Sequence, residues 1–303
     1  MNGGAATLRE ALSLGRPVRV AGVHDALSAL VAQRCGFDAV WASGLGVAAV
    51  NGMPDANVLT MSEVRDATRV ISQATSLPVI SDCDTGFGEI RNLRRSIQDF
   101  EGGGAAAVCI EDKLYPKRNS FRDGQELLDP HEFAMKVRIA KETQQSPDFI
   151  LIARVESLIA GTGMEDALAR AALYAEAGAD AIVIHSKAKV ASEVTEFAGR
   201  WRALGAPVPL VAIPTTYHGA TMTELTESGI SIVIYANQAI RAAVRAMEDA
   251  LREIAAAGTS TAIEDELLPV KALFELTGED VIDRLDRRFL ADTEAARRRG
   301  TAA

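Results

Sequence analysis

The strongest constraint on this chain is a repeat in which short, β-branched apolar runs alternate with helix-patterned segments. The runs occupy residues 18–24, 37–43, 77–84, 106–112, 149–156, 181–186, 209–215 and 231–236. Most are near-continuously apolar, the pattern of parallel strands covered on both faces. Residues 62–75, 90–102, 131–143, 164–177 and 193–204 carry helical periodicity, and Gly36, Gly178 and Gly229 stand where a helix stops before the next strand. Eight such alternations in about 250 residues predict a (β/α)8 TIM-type barrel, with an open doubly wound sheet as the alternative. No low-complexity linker divides the chain, so residues 1–303 read as one domain. A short N-terminal helix precedes Arg16-Pro17, and a helical extension covers about 239–290. In that extension Leu267, Val270, Leu273, Phe274 and Leu276 form an apolar face that needs a partner surface. Residues 295–303 read as a frayed, solvated end.

Barrels of this kind carry their chemistry at the C-terminal strand ends. Here those ends hold His24-Asp25, Trp41-Ala42-Ser43-Gly44-Leu45, Asp82 with Asp84, Glu111-Asp112-Lys113, Arg154 with Glu156, His185-Ser186-Lys187 and Asn237. Taken singly, several have a plain structural reading: His24 and His185 as core histidines, Glu156 as a partner for Arg154. Together they are more charge than a barrel needs to fold.

The run ISDCDTGFG at 80–88 ends in two carboxylates and a glycine-bracketed turn. On an extended strand Asp82 and Asp84 share a face and Cys83 points the other way, toward packing. An isolated acidic turn is most simply solvated; with Glu111 on the next strand end, the group suits a hard cation. Oxygen donors without a Cys or His pair point to Mg2+ or Mn2+, not Zn2+. A 2-oxo acid or its enolate would chelate such an ion, which would stabilise charge on the C2 oxygen. Ser43-Gly44-Leu45 allows backbone N–H groups close to an anion, and Arg154 offers a permanent multidentate charge to phosphoryl or carboxylate oxygens. The connection at 113–129, KLYPKRNSFRDGQELLD, is long for a barrel loop and reads as a lid carrying Lys117, Arg118, Asn119 and Ser120.

A formal charge of -9 without a basic stripe argues against nucleic-acid binding. Neither a signal-like apolar segment near the start nor a bilayer-length run is present, so a cytoplasmic protein without a membrane role is expected. Cys35, Cys83 and Cys109 fit reduced, buried thiols.

WASGL at 41–45, PDANVLTM at 54–61, DCDTGFG at 82–88, EDKLYPKRNS at 111–120 and ARVESLIAG at 153–161 closely resemble the phosphoenolpyruvate phosphomutase family, within the isocitrate lyase and phosphoenolpyruvate mutase superfamily. The likeness runs over residues 18–289. It implies a barrel whose final helix is exchanged between subunits of a dimer-of-dimers homotetramer. The implied reaction is interconversion of phosphoenolpyruvate and 3-phosphonopyruvate, a C–P bond-forming isomerisation that opens phosphonate biosynthesis. The superfamily's carbon–carbon lyases resemble KKCGH or KRCGH in the lid, whereas this chain has Lys117-Arg118-Asn119-Ser120 and no cysteine there. Phosphonopyruvate hydrolase, which releases pyruvate and phosphate, typically has threonine where this chain has Asn119. The hydrolase is therefore the alternative activity, and a catalytically silent oligomeric barrel the remaining one.

The resemblance also implies roles. Asp82 would bind Mg2+ directly, with Asp84 and Glu111 largely through water, and Mn2+ would be able to substitute. Gly44 and Leu45 N–H groups would hold the substrate carboxylate. Ser43, Asn119, Arg154 and His185 would surround the phosphoryl group, Trp41 and Ser120 would bind substrate, and Lys117 would help close the lid. Asp55 would act either as a nucleophile or as an orienting group. Because the enol phosphate is the more stable isomer, a phosphonopyruvate-consuming enzyme would have to follow. Phe87-Gly88-Glu89 departs from the family's usual Tyr-Gly-Asn, and Glu89 suits a helix N-terminus without changing the reaction.

Overall fold

The computed structural model describes residues 3–205 and 208–300. Eight parallel strands close in chain order: β1 Val18–Val23, β2 Ala39–Ala42, β3 Val79–Asp82, β4 Ala107–Glu111, β5 Ile150–Val155, β6 Ala181–Ile184, β7 Leu210–Ala212 and β8 Ile230–Tyr235. β1 pairs with both β2 and β8, which excludes the open sheet. The alternating register explains the unbroken apolar runs. Val20, Trp41, Ile80, Cys109 and Ile152 fill the barrel interior, while Val108, Ile110, Leu151 and Ile182 meet the surrounding helices. Cys83 lies in that outer layer, as expected, and Cys109 in the inner one. Cys35, expected to be buried, is exposed, because it caps the end of helix Ala26–Arg34 instead of joining a strand.

Local signals set the helices. Thr60 and Glu63 form a reciprocal capping box ahead of Met61–Ala74. Asp129 caps Pro130–Thr143 with proline in its first turn. The expected N-terminal helix is Gly4–Ser13. No described helix is long and apolar enough to cross a membrane.

The chain divides at Ala243/Val244 into two compact units, a few residues beyond the start of the helical extension expected at about 239. The barrel is the first unit. The second contains a 3-10 turn Glu264–Glu266 and helices Val270–Thr277 and Glu279–Gly300. Its last helix continues through most of the segment expected to fray, and residues 301–303 lie outside the described residues. Among the described residues no hydrophobic side chain beyond Ile240 is buried, and Val244, Leu251, Phe274, Leu285 and Phe289 are exposed.

Candidate active site

At the C-terminal strand ends a cavity of about 60 Å3 is lined by Trp41, Ser43, Leu45, Asp55, Asp82, Lys117, Asn119, Ser120, Phe121, Arg154, His185, Ile213, Thr215 and Asn237, among others. Ten of the residues singled out from sequence thus converge on one space. Gly44, Asp84 and Glu111 do not line it and stand behind its wall. His24 is elsewhere, beside an apolar groove on the outer face of β1.

The acidic pair is built differently from the strand-alternation expectation. β3 ends at Asp82, and Asp84 occupies the following turn with φ +49°, in the left-handed region. Gly44 makes room for both carboxylates: a Cβ there would stand 3.1 Å from Asp82 Oδ2 and 3.5 Å from Asp84 Oδ1. The Gly44 N–H already faces Asp82 Oδ2 at 3.4 Å. Ser43 caps helix Gly44–Val50, accepting from Gly46 N–H at 3.2 Å, so its hydroxyl oxygen is engaged.

Register places Glu111 beside Arg154 on β4 and β5. Arg154 Nε lies 3.4 Å from Glu111 Oε2 and also donates to Glu156 Oε1. Its Nη2 reaches Ser120 Oγ at 3.1 Å and His185 Nδ1 at 2.9 Å. His185 Nδ1 is also 2.8 Å from Glu156 Oε1; it can donate to that carboxylate or accept from Arg154, and its tautomer decides. Burial and the Arg154 charge hold the His185 pKa below its ordinary value, so the ring is neutral near pH 7. Glu156 is fully buried; against that burial, Arg154 and His185 keep its carboxyl well below the usual range. Glu156 is thus the hub of this side of the cavity, and more than a partner for Arg154.

The long connection after β4 is folded down on the site. Lys113 ties it in place, donating to Arg118 O at 3.1 Å and Ser120 Oγ at 2.6 Å while pairing with Glu156 at 3.3 Å. Lys117 Nζ sits between Asp55 Oδ1 at 2.7 Å and Asp84 Oδ1 at 2.5 Å. Burial works against that ammonium, but Asp84 and Asp55 raise its pKa well above the ordinary value. Asn119 Nδ2 donates to Asp55 Oδ2 at 2.7 Å, and its Oδ1 accepts from Phe121 N–H at 3.0 Å. Burial would raise the Asp55 pKa, yet Lys117, Asn119 and Arg154 bring it below the ordinary value.

The expected triad Asp82, Asp84 and Glu111 is not assembled: among the described residues no three His, Cys, Asp or Glu side chains stand at metal-binding spacing. The physical reason is that Lys117 holds Asp84, while Arg154 and Lys113 flank Glu111. The donor chemistry nevertheless suits a hard cation. Asp55, Asp82, Asp84, Glu111 and Glu156 outnumber Lys113, Lys117 and Arg154. Asp84 Oδ1 and Glu111 Oε1 are buried and accept no well-formed hydrogen bond. Burial, with Asp82, Glu111 and Asp55 outweighing the relief from Lys117, pushes the Asp84 carboxyl up to about 7. Burial likewise raises Glu111.

Asn57, Lys113 and Glu156 were not picked out as site residues from sequence. Lys113 and Glu156 carried the general signal of charge at a strand end. Asn57 lay within the PDANVLTM stretch with no charge to single it out, and its partners Asp84 and Lys117 are 27 and 60 positions away.

A family model described as phosphoenolpyruvate phosphomutase matches residues 8–255. The chain is 39% identical over 269 residues to the phosphoenolpyruvate phosphomutase of Tetrahymena pyriformis, covering 88% of this chain and 89% of that one. It is 40% identical over 286 residues to the phosphonopyruvate hydrolase of Variovorax sp. (strain Pal2), covering 93% and 98%. The crystal structure of phosphoenolpyruvate phosphomutase from Streptomyces platensis subsp. rosaceus matches with a TM-score of 0.92 at 43% identity, over 95% of this chain and 99% of that one. A phosphonopyruvate hydrolase structure in complex with oxalate and Mg++ matches with a TM-score of 0.89 at 38% identity, over the same shares.

Proposed function

This chain belongs to the phosphoenolpyruvate phosphomutase family, and from that premise we propose that it interconverts phosphoenolpyruvate and 3-phosphonopyruvate. The observation that supports the reading is that one small cavity is lined by Arg154, Ser120, His185, Asp55 and Asp82, with the buried carboxylates of Asp84 and Glu111 behind its wall. In the forward direction the bond from phosphorus to the C2 oxygen breaks and a bond from phosphorus to C3 forms. Arg154, Ser120 and neutral His185 surround the migrating group, and Asp55 with Asn119 orients it. Phosphoryl transfer through a loose transition state asks mainly for such positioning and charge stabilisation. The first N–H groups of helix Gly44–Val50 are the proposed seat of the substrate carboxylate.

Asp82, Asp84 and Glu111 would hold Mg2+ once Lys117 has moved off Asp84, Asp82 directly and the others largely through water; Mn2+ would fit the same donors. When bound, the ion supplies charge neutralisation at the enolate oxygen. Trp41 and Phe121 help close the cavity against water, so that the phosphoryl group reaches C3 before a hydroxyl does.

Hydrolysis of phosphonopyruvate is the second reading, supported by the similarly high identity to the Variovorax hydrolase. Asn119 favours isomerisation: its amide spans Asp55 and the Phe121 backbone, a reach that a threonine lacks. Phosphorus NMR of the purified protein with Mg2+ and phosphonopyruvate decides. Phosphoenolpyruvate as product supports the proposal, phosphate as main product replaces it with hydrolysis, and an unchanged spectrum removes both.

We place the protein in the cytoplasm, ahead of an enzyme that consumes phosphonopyruvate. We also propose a dimer-of-dimers homotetramer with exchanged C-terminal helices. In support, the barrel carries an apolar groove of about 510 Å3 whose lining includes Val23, Leu27, Val31, Phe37 and Tyr235. The exposed Val244, Met247 and Leu251 supply a helical apolar stripe of the kind that fills such a groove on a second copy. Light scattering giving a monomer mass would overturn this assembly.

A further inference from the structure

We infer that Asn57 is a positioning residue that fastens the lid to the acidic pair through a single side-chain amide, an inference that rests on the proposed function. Asn57 Nδ2 donates to Asp84 Oδ2 at 2.6 Å, and Asn57 Oδ1 accepts from the backbone N–H of Lys117 at 2.6 Å. The amide assignment is dictated by Lys117, because a peptide N–H only donates and so must face Asn57 Oδ1, which leaves Nδ2 toward Asp84. Of the residues short enough for this place, asparagine combines a donor and an acceptor on one rigid plane. An aspartate would set one carboxylate against another.

The backbone agrees with the role. Asn57 has φ +53°, a left-handed conformation that asparagine tolerates better than most residues, so the amide is presented from a tight bend. Two residues earlier, Asp55 grips the same lid through Lys117 Nζ and Asn119. The bend therefore holds the lid at two levels. Asp55 holds it by side chains that must also serve the phosphoryl group. Asn57 holds it by the lid's main chain, which the reaction does not touch. Its other end fixes Asp84, so lid position and carboxylate orientation are set together. An open lid leaves Asn57 Oδ1 without the Lys117 N–H that holds the amide plane, and a turned Asp84 leaves Asn57 Nδ2 without its acceptor.

Asn57→Gly is the test, since glycine keeps the left-handed bend while deleting the amide. Hydrogen exchange by mass spectrometry on the peptide 113–122, without ligand, reads the lid. Calorimetric titration with Mg2+ alone reads the Asp84 end. The variant should exchange at least roughly tenfold faster in this peptide and bind Mg2+ roughly tenfold more weakly, the scale of one lost charge-assisted hydrogen bond. Exchange in β1 through β8 should stay as in the unaltered protein. With phosphonopyruvate, the ratio of phosphate to phosphoenolpyruvate should rise, which a merely structural defect would not produce. Unchanged lid exchange, unchanged Mg2+ affinity or faster exchange throughout the barrel each overturns the latch. If the unaltered protein does not convert phosphonopyruvate, the functional proposal falls, and the exchange and Mg2+ measurements still decide the role of Asn57.

Discussion

Replacing Arg154 by methionine keeps the length of the side chain and removes its charge, and the structure sets the size of the effect. The guanidinium meets Glu156, Glu111, Ser120 and His185 while 8% exposed. Deleting one partner of a buried ion pair costs about 3–5 kcal/mol, because the opposite charge is stranded. Here Lys113 remains 3.3 Å from Glu156 and 3.8 Å from Glu111, so the loss should fall near about 3 kcal/mol, the lower end of that range. Arg154→Lys keeps a charge but cannot hold donors on both sides, and about 1–3 kcal/mol should be lost. Denaturant unfolding followed by tryptophan fluorescence measures this cleanly. The two tryptophans, Trp41 on β2 and Trp201 on helix Ser192–Ala203, both lie in the barrel unit. Turnover of phosphonopyruvate should drop by at least roughly 10²-fold in the methionine variant, the scale of losing a major electrostatic stabiliser. A methionine variant that unfolds within about 1 kcal/mol of the parent, or retains its rate, would refute the placement of Arg154 at the centre of this network.

Three further outcomes are expected. His185 has a folded pKa depressed by burial and Arg154, so its own contribution to stability is fully present above about pH 6.5 and is lost as the pH drops below it, while Asp84, raised to about 7, contributes the opposite trend; the His185 ring itself is therefore the readout. NMR titration of the four histidines, assigned with His185→Asn, should show its ring unshifted between pH 8 and about 6.5, and a midpoint at or above that value would contradict the geometry. Gly44→Ala brings a methyl to 3.1 Å from Asp82 Oδ2, so Mg2+ binding by calorimetry should weaken while the thermal midpoint moves little; equal affinity would mean the acidic pair has room to spare. Asn119→Thr should raise phosphate release relative to isomerisation, read as the ratio of the two phosphorus NMR products, and an unaltered ratio removes Asn119 as the discriminator.

Strand positions were legible because burial on both faces leaves an unbroken apolar run, and each observed strand falls within or one residue beside its run. That the charged strand ends would gather at one mouth of the barrel was legible too, since parallel strands all end on the same side. The arrangement of that charge was not. Periodicity along one strand put Asp82 and Asp84 on one face, but the chain leaves extended geometry at Cys83, and a left-handed turn brings Asp84 back. Ser43 was read as an anion donor; its oxygen also accepts from the helix that follows, which its local sequence did not announce and which leaves the O–H able to donate. Asn57 gains its role from contacts with Asp84 and Lys117, and Lys113 from Ser120 and Glu156, partners that no local pattern links to them. The division at Ala243/Val244 lies close to the start of the helical extension read from sequence at about 239; no glycine- or proline-rich linker marks it, because a continuous helix, Gln238–Ala257, runs across it.

The cavity of about 60 Å3 is small beside ordinary ligand pockets, which run to several hundred Å3. A three-carbon phosphate ester needs more room than this, so each catalytic cycle must begin by lifting the lid and end by lifting it again. The overall rate then has a ceiling set by how often the ties from Lys113, Lys117 and Asn57 all let go, whatever the speed of the chemistry beneath. Those ties are therefore a clock for the enzyme, and tightening them would slow it even as it made the reaction cleaner.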